Sequence, residues 1–195
     1  MKRTYLLLLL AWSAAAADSL TGTWTADARS KGGIGTTLKF SGDGAVTSML
    51  GAIVDFRFAI DGQILTTTFQ EPSGTNTVMH QAFQLTGNKL VTEPADPDKR
   101  LEMTRVGTGT SLAGQWTYEL RPGTQALLQY NTNNTGQLFV PMQTRQGQYK
   151  LESGMLTFEF PGEPATARKI ALSGDHLTLL AEADHREQRF TRVSP

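Results

Sequence analysis

Residues Ser19–Asp27 read SLTGTWTAD, and residues Ser111–Glu119 read SLAGQWTYE. Each sets Leu, Gly and Trp in the same order at the head of a short strand signal. Two such openings suggest one module built twice, and a fixed internal period is the first thing to test because it decides the whole architecture. Four further matches keep the order. Leu38-Lys39-Phe40 before Ser41–Gly44 returns as Leu128-Gln129-Tyr130 before Asn131–Gly136. Asp61–Thr66 returns as Glu152–Thr157, Leu85–Leu90 as Leu172–Leu177, and Met103–Val106 as Phe190–Val193. The spacing drifts from 92 to 87 residues along the chain, as small loop deletions would make it.

Within each copy the apolar period is two. Phe56, Phe58 and Ile60 alternate with Asp55, Arg57 and Ala59, and Leu156, Phe158 and Phe160 alternate with Thr157 and Glu159. Such alternation marks strands with one wet face. Turn chemistry separates them at Ser41–Gly44, Asp61-Gly62, Thr86–Asn88, Ser153-Gly154 and Ser173–Asp175, where Gly, Asn and Asp accept the positive φ of tight hairpins. The pattern predicts an all-β fold: about eight short strands per copy, near 20–27, 36–41, 44–50, 53–60, 63–70, 77–85, 88–93 and 99–106, then 112–120, 125–131, 136–142, 146–152, 154–160, 165–172, 176–182 and 187–193. An eight-stranded meander loses its exposed edges by closing on itself. The expectation is two tandem small antiparallel barrels, 18–106 and 111–195, joined by a linker at 107–110. Eight strands enclose room for packed side chains or one small ligand, and mostly filled interiors are expected of modules this short.

Residues 1–17 read as a secretory signal peptide. Lys2 and Arg3 open it, Leu6–Leu10 form its apolar core, and Ala14–Ala17 supply small residues for cleavage. The apolar run is shorter than the roughly 20 residues of a spanning helix, so no stable membrane span is expected after cleavage. A secreted or periplasmic location follows. Taking those two residues from the 18 Lys and Arg leaves 16 against 18 Asp and Glu, a net charge of −2. That balance exerts no long-range pull on nucleic acid. The chain has no cysteine, so an exported fold must be held by its cores, which suits a bacterial envelope protein.

The ordered motifs resemble the calycin group, and more closely the short bacterial lipocalin-like domains. The carriers are Leu20, Gly22, Trp24, Phe40, Gly44, Asp61, Gly62, Leu65, Leu90 and Arg105 in the first copy. In the second they are Leu112, Gly114, Trp116, Tyr130, Gly136, Gly154, Leu156, Leu177 and Arg192. The resemblance covers nearly all the chain beyond residue 17. It implies that the Trp of the first strand packs at the closed end of a barrel with the Arg of the last strand across its ring. The pairs are then Trp24 with Arg105 and Trp116 with Arg192, each tying first strand to last within its own copy.

No motif for chemistry stands out. His80, His176 and His185 have no His counterparts, since Ala167 matches His80 and Lys89 matches His176. Metal-ligand spacing, phosphate-cradling glycine loops and a nucleophile elbow are absent from the sequence. Glu152 with Glu159, and Asp96 with Asp98, read as outer-face or loop charges rather than a carboxylate pair for glycoside chemistry. No catalytic residue, metal or cofactor is expected. The second copy is richer in aromatics: Tyr118, Tyr130, Phe139, Tyr149, Phe158 and Phe160. Tyr118, Tyr130, Tyr149 and Phe158 are the candidate lining of a small apolar pocket, against the alternative of an ordinary core. The leading functional expectation is a non-enzymatic binding protein for a small apolar or amphipathic ligand. The alternative is an envelope interaction module such as a barrel-type hydrolase inhibitor.

Overall fold

The computed structural model describes residues 20–70 and 74–193. The expected signal peptide lies outside the described residues. Among the described residues fourteen strands make up the fold: β1 (Gly22–Ala26), β2 (Ile34–Phe40), β3 (Ala45–Asp61), β4 (Ile64–Gln70), β5 (Asn76–Thr86), β6 (Lys89–Thr92) and β7 (Leu101–Val106) come from the first copy. The second supplies β8 (Gly114–Arg121), β9 (Thr124–Tyr130), β10 (Thr135–Glu152), β11 (Met155–Glu159), β12 (Thr166–Ser173), β13 (His176–Leu179) and β14 (Gln188–Val193). The paired strands run antiparallel, and the sheet closes in a ring because β1 pairs with β14.

The expected sixteen strands become fourteen because two expected breaks are not turns. Segments 44–50 and 53–60 are one strand, β3, and 136–142 and 146–152 are one strand, β10. Gly51, inside the first expected break, serves a close approach rather than a turn. A Cβ there would meet the Val140 carbonyl oxygen at 2.3 Å, the usual reason for glycine inside a strand. The stretch Gln143-Thr144-Arg145 carries no turn residue at all.

This fusion changes what can close. Each copy now has seven strands. In an up-and-down meander the first and seventh strands point the same way, so they cannot form an antiparallel pair. A copy therefore cannot close on itself. The ring solves this with one further pairing, between β3 and β10. That pairing divides the ring of fourteen into two circuits of eight: β3-β2-β1-β14-β13-β12-β11-β10, and β3-β4-β5-β6-β7-β8-β9-β10. In the first circuit Tyr149 N–H donates to the Gly44 carbonyl at 2.7 Å; in the second, Phe58 N–H donates to the Asn134 carbonyl at 2.9 Å.

The compact units follow the circuits and not the sequence copies. One comprises residues 20–29, 35–50 and 143–193; the other comprises 30–34 and 51–142. The expected boundaries at 18–106 and 111–195 are thereby replaced. Both units draw on both copies, and the stretch 107–110 joins β7 to β8, which are hydrogen-bonded neighbours inside one unit. The two expected breaks, at 51–52 and 143–145, are where the chain passes from one unit to the other.

Each unit has its own core. Trp24, Phe40, Tyr149, Leu156, Leu177 and Phe190 are central to the first, and Phe56, Phe58, Leu65, Leu90, Met103 and Trp116 to the second. Both tryptophans are fully buried. Trp24 Nε1 donates to the Leu20 carbonyl at 2.8 Å, and Trp116 Nε1 to the Leu112 carbonyl at 2.9 Å. Each ring does carry an arginine, but the partners are exchanged between copies. Arg192 lies 4.1 Å from the Trp24 ring centroid, and Arg105 lies 4.1 Å from that of Trp116. Register explains the exchange. Trp24 stands directly opposite Arg192 across β1–β14, and Trp116 opposite Arg105 across β7–β8, and direct cross-strand partners share a face.

The glycine of each Gly-x-Trp motif follows from the same contact. Gly22 and Gly114 have φ of +129° and +135°, where an L side chain is strained. A Cβ would also stand 2.9 Å from Arg192 Nη1 or 2.5 Å from Arg105 Nη1. The guanidiniums are further held by carbonyls: Arg105 donates to Ala113 at 3.0 Å and to Ser111, and Arg192 to Thr21.

Double-mutant cycles to alanine, read by urea unfolding, distinguish the exchanged pairing from closure within a copy. Trp116 with Arg105 and Trp24 with Arg192 are expected to couple by about 0.5–2 kcal/mol. Trp24 with Arg105 and Trp116 with Arg192 are expected to be additive within about 0.5 kcal/mol.

Candidate functional site

The interior of the unit built from 20–29, 35–50 and 143–193 is open at one end as a cleft of about 310 Å³. Its lining comes from alternate residues of neighbouring strands. Leu38 of β2, Ser48 of β3, Phe158 of β11, Arg168 of β12 and Phe190 of β14 form the buried inner tier. Two residues along each strand, Thr36, Leu50, Phe160, Thr166 and Gln188 form an outer, more exposed tier. A spacing of two keeps both tiers on one face of the sheet, so the cleft is a mouth of the interior and not a crease in the outer surface.

The floor is apolar and aromatic. Phe158 and Phe160 lie nearly parallel, with centroids 6.2 Å apart and an interplanar angle of 8°. Phe158 also packs on Phe40 at 6.2 Å, and Phe40 takes the edge of Tyr149 at 4.9 Å. At the rim Arg145 lies over the Phe160 ring, 4.8 Å from its centroid. The same Arg145 Nη1 donates to both oxygens of Glu163, at 2.8 and 2.9 Å. Both partners are nearly half exposed, so this pair adds little stability but fixes the Arg145 head over the ring.

Arg168 is the second charged group of the cleft and is only 5% exposed. It stands opposite the fully buried Leu156 across β11–β12, so it points inward. Its Nη2 donates to the Leu180 carbonyl at 2.7 Å and to the Arg186 carbonyl at 3.0 Å, while its Nε is buried with no hydrogen-bond partner.

The other unit carries a larger depression of about 660 Å³, lined by polar groups including Asp55, Arg57, Gln70, Asn76 and Gln137. Consecutive residues 55–57 line it. Both faces of a strand cannot border an interior, so this groove runs along the outside.

Of the four aromatics expected to share a pocket, only Phe158 lines the cleft. Tyr149 belongs to the same unit but is a core residue; it packs on Phe40 and donates its hydroxyl to the Ser41 carbonyl at 3.0 Å. Tyr130 is in the other unit, buried between Phe56 at 5.5 Å and Phe58 at 5.0 Å. Tyr118 is also in that unit, half-buried against the same core. The strand exchange divides the aromatic set, since β8 and β9 go to one unit and β11 to the other. Sequence reading overlooked Arg168, although its signal was present: Arg168 is in phase with the inward Ile170 and Leu172 of β12, a cation within an apolar stripe.

The remaining titratable groups sit outside the cleft. His80 bonds Thr66 Oγ1 across β4–β5 at 3.0 Å, and His176 lies 3.5 Å from Thr191 Oγ1. Among the described residues no His, Asp or Glu group is arranged to hold a metal ion. Lys99 holds the Asp96 carboxyl below its ordinary range, and Lys89 with Arg100 does the same for Glu102. Burial pushes the Tyr130 phenol well above its usual range, reinforced by Tyr118, whose own phenol is also raised by burial.

The fold holds Tyr130 neutral. The stability this gives is complete below the unfolded tyrosine value of about 10 and is lost as pH rises above it. Absorbance at 295 nm at about pH 11 is expected to show Tyr130 un-ionised in the native protein and ionised after urea is added. A Tyr130→Phe variant should lose that urea-dependent increment.

No family model, curated protein or solved structure matches the chain.

Proposed function

We propose that the protein is an exported, non-enzymatic binding protein of the lipocalin-like type, built as two small barrels with exchanged strands. It holds one small apolar or amphipathic molecule in the mouth of the unit that contains Trp24. The observation that carries this reading is the cleft itself. Its buried floor carries Leu38, Phe158, Leu179 and Phe190, polar side chains such as Thr36, Gln143 and Gln188 border it, and its 310 Å³ lies at the lower end of small-molecule sites. The depression of the other unit is lined by polar groups and runs along the outside, so one molecule per chain is expected.

At the rim the Arg145 charge is balanced by Glu163 and its head is held over the Phe160 ring, a surface against which an apolar body can lie. Export rests on the reading of residues 1–17 as a signal peptide.

Titration with the neutral fluorophore N-phenyl-1-naphthylamine tests the proposal. Saturable enhancement at one probe per chain is expected. Leu50→Glu places a carboxylate at the exposed outer tier and is expected to weaken binding tenfold or more without lowering the melting temperature. Absence of saturable binding, or an unchanged affinity in Leu50→Glu, would overturn the assignment.

A further inference from the structure

The cleft carries a buried cation that no carboxylate meets, and the geometry points to Arg168 as the receptor for a carboxylate head on the bound molecule. The inference rests on the binding proposal above and names the class of ligand: a small carboxylic acid with an apolar, aromatic-compatible body.

Three observations lead there. First, Arg168 is only 5% exposed and lines the cleft. A buried charge is unfavourable unless it is paired, yet among the described residues no ion pair is formed by this guanidinium. Two backbone carbonyls occupy Nη2, and Nε is buried without a partner. With Nη2 occupied, the guanidinium still has N–H donors left for a charge-assisted hydrogen bond to a carboxylate oxygen.

Second, the other cation of the cleft is already engaged. Arg145 is held by both oxygens of Glu163 and by the Phe160 ring. An incoming anion gains more at Arg168, which has no acidic neighbour to displace. Arg105 provides a contrast: its Nε is also buried and unpaired, but its guanidinium lies over the Trp116 ring on the neighbouring strand. Arg168 has no indole beneath it and borders open volume instead.

Third, the arginine belongs to one copy. Leu156 opposite Arg168 on β11–β12 corresponds to Leu65 opposite Gln81 on β4–β5. The two leucines are equally buried, so the scaffold at this position is satisfied by a neutral amide in one unit. A structural need common to both units therefore does not account for the arginine.

The test is isothermal titration of the full chain with 3-phenylpropanoate and with its neutral isostere 3-phenylpropanamide. The acid is expected to bind roughly tenfold tighter or more, as a charge-assisted contact in a buried setting should give. Arg168→Gln, the residue that Gln81 already represents in the other unit, is expected to abolish that preference, read as the ratio of acid to amide affinity within the variant. The acid–amide comparison on the native protein needs no variant, so it stands even if Arg168→Gln fails to fold. Equal affinity of acid and amide, or a preference for the acid that survives in Arg168→Gln, would overturn the assignment of Arg168 while leaving the binding proposal intact. Failure of both compounds, together with failure of N-phenyl-1-naphthylamine, would remove the binding proposal with it.

Discussion

An antiparallel sheet closes only around an even number of strands, and each repeat of this chain supplies seven. That parity governs the architecture. Left alone, a repeat would present β1 and β7 pointing the same way, with two unpaired edges exposed. Two repeats in one chain remove the conflict. β7 meets β8, β14 meets β1, and the long strands β3 and β10 pair with each other to serve both circuits. The Trp–Arg contacts are a consequence of this route. Each arginine ends one repeat and reaches the tryptophan that opens the next, with the last repeat returning to the first.

The same route explains why duplication left the two units unequal. Every unit takes strands from both repeats, so a substitution in the second repeat alters only whichever unit receives that strand. β11 and β12 carry Phe158 and Arg168 into the unit of Trp24. Their counterparts in the first repeat place Gln81 beside Leu65 in the other. One interior thus carries an arginine at its mouth where the other carries Gln81, while both keep an edge-to-face aromatic pair, Phe40 with Tyr149 and Tyr130 with Phe58. Stability then rests on features the two units share, namely buried tryptophans and their arginines. The open cleft rests on features they do not.

Much of this was legible from the residues. Gly-x-Trp, the period-two runs and the hairpin glycines were enough for an all-β antiparallel fold and for the duplication. They also singled out the two tryptophans and two arginines that meet. Partnership was misassigned because strand number was. Gly51 resembles a turn residue but marks the close passage of the Val140 carbonyl, and 143–145 lacks turn chemistry altogether. Counting seven strands instead of eight would have forced the exchange from sequence alone. The cleft was less accessible. Its lining converges from strands scattered between residues 36 and 190, and only Arg168, charged and in phase with Ile170 and Leu172, announced it locally.

The most direct measurement is a cut at the 107–110 connection. A protease site placed there severs the two repeats without touching β7 or β8. If both units are assembled from both repeats, the cleaved protein should run as a single species on size exclusion at native pH. Its two fragments should separate only in denaturant. Two fragments that part on dilution, each retaining a cooperative melt, would show that every repeat closes on itself and would contradict the exchanged fold.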